Sequence, residues 1–272
     1  MHEFNQQVIE EFRANAGQVS GYFQGARLIL LTTTGARSGA PHTTPVGYLP
    51  DGDGRSFVIA SAGGAPNHPA WFHNLKATPR VTVEDGVFTY EAEAVVLEGP
   101  ERDRVFARAV EADPGWADYQ AKTSRVIPVV ALRQVGGGPP NASSFGAALR
   151  LLHGAFRREL VLIRKEIADS GPGVGAQLRV NCLALCAGLR NHHDGEDAGV
   201  FPALLERYPE IESVVDRLKV EHERIAVLLA DLQQVITDVD ADPARVLADV
   251  ERLTGELESH LTYEEEQLLP LL

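Results

Sequence analysis

Beyond residue 143 the apolar positions recur at alternating steps of four and three, the spacing of one face of an α-helix. A first stripe runs through Leu149, His153, Phe156, Leu160, Ile163 and Ile167, and a second through Leu178, Cys182, Leu185, Leu189, His192 and Glu196. A third takes Ile211, Val215, Leu218, His222, Ile225, Leu229, Leu232 and Ile236, and a fourth Val246, Val250, Leu253, Leu257, His260 and Glu264. Breaks at "SGPGVG", "RYPE" and "DADP" supply the Gly, Pro and Asp that separate antiparallel neighbours. Four such segments with short connections predict an up-and-down four-helix bundle.

The first half follows a different period. After a short amphipathic helix over residues 3–14, strand-like runs dominate. They are "ARLILLTTTG", then "TTPVGYLPDGDGRSFVIAS" with a hairpin turn at "DGDG", then "RVTVEDGVFTYEAEAVVLEG" turning about Asp85 and Gly86, and finally "RVIPVVALRQV". One helix is expected within "NHPAWFHNLKATP" and another within "PERDRVFARAVEADPGWADYQAK". Strands outnumber helices without a βαβ rhythm, which predicts a small antiparallel barrel and argues against a doubly wound parallel sheet. The stretch "QVGGGPPNASSFG" interrupts all periodicity. The expected organisation is α+β in two domains: a barrel over residues 1–135, a linker over 136–145 and a bundle over 146–272.

Charge narrows the partners. Residues 1–135 hold 12 Lys and Arg against 15 Asp and Glu, and residues 136–272 hold 13 against 23, in a chain of net charge −13. That balance repels phosphate backbones and anionic lipid heads, so no nucleic acid or membrane surface is expected as partner. The opening residues lack a basic start and an apolar core, and no stretch reaches the length of a membrane span, so a cytoplasmic protein is expected. Cys182 and Cys186 lie one helical turn apart, which suits neither a CxxC redox motif nor a structural disulfide, and they are expected to pack in the core. The oligomeric state is left open, with a homodimer among the options.

The stripes themselves carry chemistry. Each holds a histidine, and two hold a glutamate four residues after it, on the same face and about 6 Å along the axis. Any one of these histidines taken singly fits an ordinary core position. The glutamates change that reading, because an unpaired carboxylate in an apolar bundle costs several kcal/mol. Four imidazoles and two carboxylates divide over two cations, with each carboxylate bridging. Mixed nitrogen and oxygen donors suit iron or manganese, with zinc compatible, and iron is the reading adopted.

These segments, "LLHGAF", "NHHDGEDAGVFPALLE", "LKVEHERI" and "ESHLTYEEEQLLPLL", resemble the hemerythrin-type HHE cation-binding domain. The resemblance implies a non-haem di-iron centre held by His153, His192, Glu196, His222, His260 and Glu264. One departure stands out: oxygen-carrying hemerythrins have a further histidine one turn along the third helix, whereas Leu218 and Ala226 flank His222 here. Each ion is therefore expected to be under-coordinated, which favours reaction with oxygen, peroxide or nitric oxide. Neighbouring His193, Asp194, Glu221 and Glu265 stand between a metal-shell role and an ordinary solvated face.

In the first half the informative loop is "TTTGARSGAPHTTP" at residues 32–45. Its glycines free the backbone to turn around an anion, Ser38 adds a hydroxyl and Arg37 a charge that neutralises phosphate. Neither GxGxxG nor GxxxxGK[ST] is present. This loop, with "FNQQVIEEFRANAGQVSG", "IASAGGAPNHPAWFHNLKATPRVTVE" and "DYQAKTSRVIPVVAL", is similar to the deazaflavin-dependent nitroreductase family, relatives of the FMN-binding split β-barrel. The likeness implies a site for coenzyme F-420, with FMN as the alternative. Arg37, Ser38, Gly39, Pro41 and Thr44 would hold its phosphate and tail. Ala60, Ser61, Gly63 and Gly64 would lie along its ring, with Asn67 and Trp71 at the start of a helix closing over it. Trp116 and Tyr119 fall on the substrate side, where the family commonly has tyrosines. Trp71, Trp116 and Tyr119 also fit plain core packing, and Ala36, His42 and Ala62 replace residues that are often basic in the family.

The two halves together predict an oxidoreductase using reduced deazaflavin with a di-iron centre. Its acceptor would be oxygen, peroxide, nitric oxide or a small organic compound such as a quinone or nitro compound. The alternative is a deazaflavin- or FMN-dependent quinone or nitro reductase regulated by an oxygen- or iron-sensing bundle. A deazaflavin gives up a hydride whereas iron exchanges electrons singly, so the two sites are not matched for direct transfer.

Overall fold

In the computed structural model, which describes residues 2–51, 54–138, 140–170, 173–238 and 240–272, six strands close into an antiparallel barrel in the order β1-β2-β3-β6-β5-β4. The strands are β1 (Leu28–Thr34), β2 (Pro41–Pro50), β3 (Arg55–Ile59), β4 (Arg80–Glu84), β5 (Thr89–Val96) and β6 (Val129–Gly136). The unbroken apolar runs in β1 and β6 arise because both faces of these strands are covered. Ile29 and Leu31 point into the barrel with Val58, Val81, Val83, Val130 and Leu132. Leu28 and Leu30 point outward onto Val8, Ile9 and Phe12 of helix α1 (His2–Ala14). On the other side Val129 and Ala131 pack on Val105, Phe106 and Ala109 of α3 (Gly99–Ala112). A two-residue side-chain period thus serves two cores at once.

Both expected hairpins form. β2 pairs with β3, and the turn between them includes Gly52 and Asp53, which lie outside the described residues. β4 pairs with β5 through Asp85 and Gly86, where Gly86 has φ +96° and an added Cβ would sit 2.5 Å from the Ala16 carbonyl oxygen. The helix expected in "NHPAWFHNLKATP" is α2 (Ala70–Ala77). The helix expected over "PERDRVFARAVEADPGWADYQAK" is instead two, α3 and α4 (Gly115–Ala121). Pro114 explains the break: its ring pushes the preceding Asp113 to extended backbone, and the Asp113 carboxylate accepts from Gly115 N.

The chain divides into two compact units, Met1–Ser143 and Ser144–Leu272. Of the residues expected as a linker, Gly136 belongs to β6, Pro140 bridges Phe88, and the Ser144 hydroxyl accepts from Ala147 N at the start of the next helix. The second unit is a four-helix bundle. Its long helices are α5 (Phe145–Asp169), α6 (Ala176–Gly195), α8 (Glu212–Thr237) and α9 (Pro243–Leu268), with a short α7 (Phe201–Arg207) following α6. α5 and α8 each pack beside both α6 and α9. Most of the four stripes face a core that includes Leu160, Ile163, Leu185, Leu229, Val250 and Leu257, while Val215 and Leu218 of the third pack in a separate cluster with Phe201, Leu204 and Leu268. Cys182 and Cys186 are free thiols buried in it, and burial pushes the Cys186 thiol up to about 12. No helix among the described residues is long and apolar enough to cross a membrane.

Between α6 and α7 the chain makes one wide π-turn, Glu196–Val200, in which the Phe201 N–H reaches back to the Glu196 carbonyl. Pro202 accounts for it. A proline here has no N–H for the carbonyl four residues back and crowds that carbonyl, and a wider turn relieves both. Such bulges concentrate at functional sites. Here one begins at Glu196.

Candidate functional site

At one level of the bundle core the apolar stripes give way to polar side chains. His153 on α5, His192 and His193 on α6, Glu196 on the π-turn, His222 on α8, and His260 and Glu264 on α9 meet there. Six of these seven are buried, with Glu264 and His153 at 0% exposure and Glu196 at 2%. Their donor atoms fall into two groups, His153, His192, Glu196 and Glu264 in one and His193, His222 and His260 in the other, each within 4.8 Å.

The carboxylates span the groups. Glu196 Oε1 lies 3.4 Å from His192 Nε2 and its Oε2 lies 3.6 Å from His222 Nε2. Glu264 Oε2 lies 3.5 Å from His153 Nε2 and 3.7 Å from His260 Nε2. His153 Nε2 and His192 Nε2 are 3.1 Å apart. Donors sharing one transition-metal ion at about 2.1 Å stand roughly 3 to 3.5 Å from each other, so the arrangement needs little adjustment to hold ions.

Each carboxylate thus reaches one imidazole of either group. All four of their oxygens, with Nε2 of His193, His222 and His260, are buried without a hydrogen-bond partner. Buried polar atoms are almost always paired, and seven orphans converging at one level match the donor set of a bound cation.

The outer ring nitrogens are held in place. His153 Nδ1 donates to Glu265 Oε1 at 2.8 Å, and Arg157 Nη1 donates to that same oxygen at 2.7 Å. His260 Nδ1 donates to Glu221 Oε2 at 3.1 Å, and Arg217 Nε donates to Glu221 Oε1. His222 Nδ1 donates to Asp197 Oδ1 at 3.0 Å. An ionised carboxylate only accepts, so each contact puts the proton on Nδ1 and aims the Nε2 lone pair inward. Glu221 and Glu265 thus stand behind the histidines, while Asp194 is exposed. Asp197, Arg157 and Arg217 were not foreseen in the sequence. Only their place after folding reveals them.

Electrostatics agree with this. Burial, followed by the neighbouring histidines, pushes His192 down to about 3 and His193 to about 2, and it lowers His260 to about 4. These rings are neutral at pH 7, the form that binds metal. Burial raises both Glu196 and Glu264 well above the usual carboxylate range, and for Glu196 the facing Glu264 adds to it. Glu265 is also partly buried, yet hydrogen bonds from Arg157 and His153 hold its carboxyl below that range.

In the barrel the expected coenzyme residues gather at one rim. β1 and β3 are each antiparallel to β2 and so parallel to each other, which brings the turn after β1 and the loop after β3 to the same end. Arg37, Ser38 and Gly39 lie exposed in the first. Pro41 begins β2, and Thr44 lies further along it opposite Leu31. Arg37 has no ion-pair partner among the described residues, leaving its charge available to an anion. Ser38 Oγ accepts from Ala40 N and lies 3.3 Å from His42 Nε2. Ala60, Ser61, Gly63 and Gly64 form the second loop, and Asn67 is exposed before α2. Trp71 is buried against the barrel interior with Ile29, Leu31 and Leu75. Trp116 and Tyr119 lie half-buried on α4.

Two residues that the sequence did not single out fix these loops. Buried Asn74 on α2 accepts from Ala36 N at 3.0 Å and donates to Thr33 Oγ1 at 3.0 Å, tying α2 to the first turn. Arg125 donates to the carbonyls of Ala60, Ser61 and Ala65 and lies 3.1 Å from His68 Nδ1, clamping the second loop. Asn74 had a sequence signal, a polar residue on the same helical face as Trp71. Arg125 had none.

Gly64 is where this loop meets α4. Its φ is +83°, and an added Cβ would lie 2.8 Å from both the Tyr119 carbonyl oxygen and Lys122 Cβ. Gly64→Ala is expected to destabilise the barrel by about 1–3 kcal/mol. The chain's two tryptophans, Trp71 and Trp116, both lie in the barrel, so urea unfolding followed by tryptophan fluorescence reads this unit alone.

A closed barrel with a glycine-rich rim and a bundle with a buried cluster of imidazoles and carboxylates define the class: a two-domain protein with a candidate cation site in its second half. The family models agree, one described as F420H(2)-dependent quinone reductase matching residues 5–134 and one described as hemerythrin HHE cation binding domain matching residues 145–272. F420H(2)-dependent quinone reductases of two Mycobacterium tuberculosis strains are each 38% identical over 125 residues, spanning 44% of this chain and 83% of theirs. A solved structure described as an F420-H2 dependent reductase is 42% identical and covers 39% of this chain and 94% of its own, with a TM-score of 0.37. The chain belongs to the F420H(2)-dependent quinone reductase family, and its second half is a hemerythrin HHE domain.

Proposed function

We propose that the barrel binds reduced deazaflavin F-420 and the bundle a non-haem di-iron centre. The chain then reduces oxygen, peroxide, nitric oxide or a small quinone or nitro acceptor. The observation that carries this reading is the pair of buried, unpartnered carboxylates set between two groups of imidazoles, on a chain whose other half belongs to a deazaflavin-dependent family.

The residues fit both groups. His153 and His192 would hold one ion and His222 and His260 the other, with Glu196 and Glu264 shared. Two irons, when bound, exchange electrons singly and accept small oxygen-type ligands. Glu221, Glu265 and Asp197 keep the imidazoles in the binding tautomer, and the apolar core around them excludes water. At the barrel rim Arg37 and Ser38 would take the coenzyme phosphate. Added Cβ atoms at Gly39 and Gly63 would meet nothing within 4 Å, so the backbone there is open to a ligand. Reduced deazaflavin, when bound, supplies a hydride. Arg125 holds the backbone of residues 60–65 in one shape against it, and Trp116 and Tyr119 flank the acceptor.

Stopped-flow mixing of the reduced coenzyme with the oxidised, iron-loaded chain tests the coupling. Without oxygen or another acceptor, the ferric absorption is expected to bleach as each reduced coenzyme gives its two electrons to two ferric ions, and to return when an acceptor is added. Ferric absorption that persists under the reduced coenzyme contradicts it. Adding F-420 or FMN to the purified protein and following absorbance and tryptophan quenching separates the two coenzymes.

A second reading has its own support: the barrel region alone spans 83% of the quinone reductase relatives. In this reading the barrel reduces quinones unaided and the bundle senses oxygen or iron. His260→Ala then leaves quinone reduction intact and changes only its response to oxygen. Loss of all activity from a variant with a folded barrel sinks it.

A further inference from the structure

The six-residue ligand set leaves one buried imidazole unused. His193 is 5% exposed, and its Nε2 has no hydrogen-bond partner. Its ring stacks on His222 with centroids 4.1 Å apart and planes within 12°, and it meets His260 edge-on at 5.1 Å. A histidine kept for packing alone would give up about 1–3 kcal/mol for that orphaned nitrogen, a cost a leucine would not carry.

We infer that His193 is a metal ligand, the third imidazole of one of two inequivalent metal positions. The inference rests on the di-iron reading of the bundle. Helix geometry makes it workable: neighbouring residues project about 100° apart, so His192 and His193 cannot aim at one point, but they can serve two adjacent ones. The structure divides them in this way. His192 groups with His153, and His193 with His222 and His260. α8 supplies only one imidazole, since Leu218 and Ala226 stand a turn either side of His222. α6 supplies two.

The expectation of two imidazoles per ion is thereby replaced. With Glu196 and Glu264 shared, one position has three imidazoles and the other, at His153 and His192, has two. The poorer position is the one with room for a small exogenous ligand.

The test uses the full-length chain and iron(II) as the probe, loaded without oxygen. Wild type is expected to take two irons and to give two distinct Mössbauer sites of equal area. His193→Leu is expected to keep one tightly bound iron and to bind the second about tenfold or more weakly, with added imidazole restoring it. A folded His193→Leu chain that binds both irons as tightly, with an unchanged spectrum, overturns the inference. A crystal structure of the iron-loaded wild type removes any dependence on the variant's folding. His193 Nε2 is expected within bonding distance of an iron, and a ring turned away from both contradicts the assignment. Wild type that takes up no iron would instead sink the di-iron reading itself.

Discussion

A chain carrying both Glu196→Leu and Glu264→Leu is expected to bind no iron and yet, in metal-free buffer, to be more stable than the metal-stripped wild type by about 1–4 kcal/mol. The two carboxyl groups are buried beside imidazoles in an otherwise apolar bundle, with all four oxygens unpaired. Without a cation they oppose folding, and replacing buried ionic groups with apolar ones of similar size removes that cost. In iron-loaded buffer the order should reverse, because binding at a thousand times Kd adds about 4 kcal/mol to wild type alone. Melting curves followed by circular dichroism, dominated by the helices of the bundle, check both halves. A double variant less stable than stripped wild type would mean that these side chains are satisfied by the protein itself.

The metal-stripped wild type should also be most stable near pH 6 and weaken on either side. Burial raises the carboxyl groups of Glu196 and Glu264 in the folded chain. Above the ordinary carboxylate range the folded state therefore holds protons the unfolded state has released, and stability falls as pH rises. Each such proton is worth about 1.4 kcal/mol per pH unit. The buried histidines act in the opposite direction. With folded values pushed down to about 3 for His192 and about 2 for His193, they cost stability as pH falls below about 6.5, where the unfolded rings become charged. Above that value their effect is flat and the carboxyl groups dominate. Iron loading should abolish the alkaline decline, since bound carboxylates are already ionised. Denaturant titrations of stripped and loaded protein at pH 6, 7 and 8 measure this, and an alkaline slope unchanged by iron would contradict it.

The bundle was legible because its apolar period is long and regular, and every polar exception on the stripes, from His153 to Glu264, is a residue of the cluster. His193 stood between a metal-shell role and a solvated face for a geometric reason. It sits one position off the α6 stripe, and only the folded bundle brings it beside His222 and His260 while His192 meets His153. The carboxylates behind the histidines were half legible. Glu221 and Glu265 precede or follow stripe residues, whereas Asp197 reaches His222 across 25 residues of chain from the π-turn.

In the barrel the strands and their turns were readable from alternation, but the shape of the rim was not. Arg125 reaches back about 60 residues to hold the loop after β3, and nothing local marks it. The break between α3 and α4 was written in Asp113-Pro114 and passed over, because the apolar pattern continues through Trp116 and Tyr119.

Cations compensate the buried carboxylates and imidazoles if the bundle is a metal-binding domain. Metal analysis of the full-length protein, purified without added metal or chelator and paired with anomalous diffraction at the iron edge, addresses it most directly. Two ions per chain, lying between Glu196 and Glu264, are the predicted result. A folded, fully active preparation free of transition metals, with those carboxyl groups still buried, would contradict it.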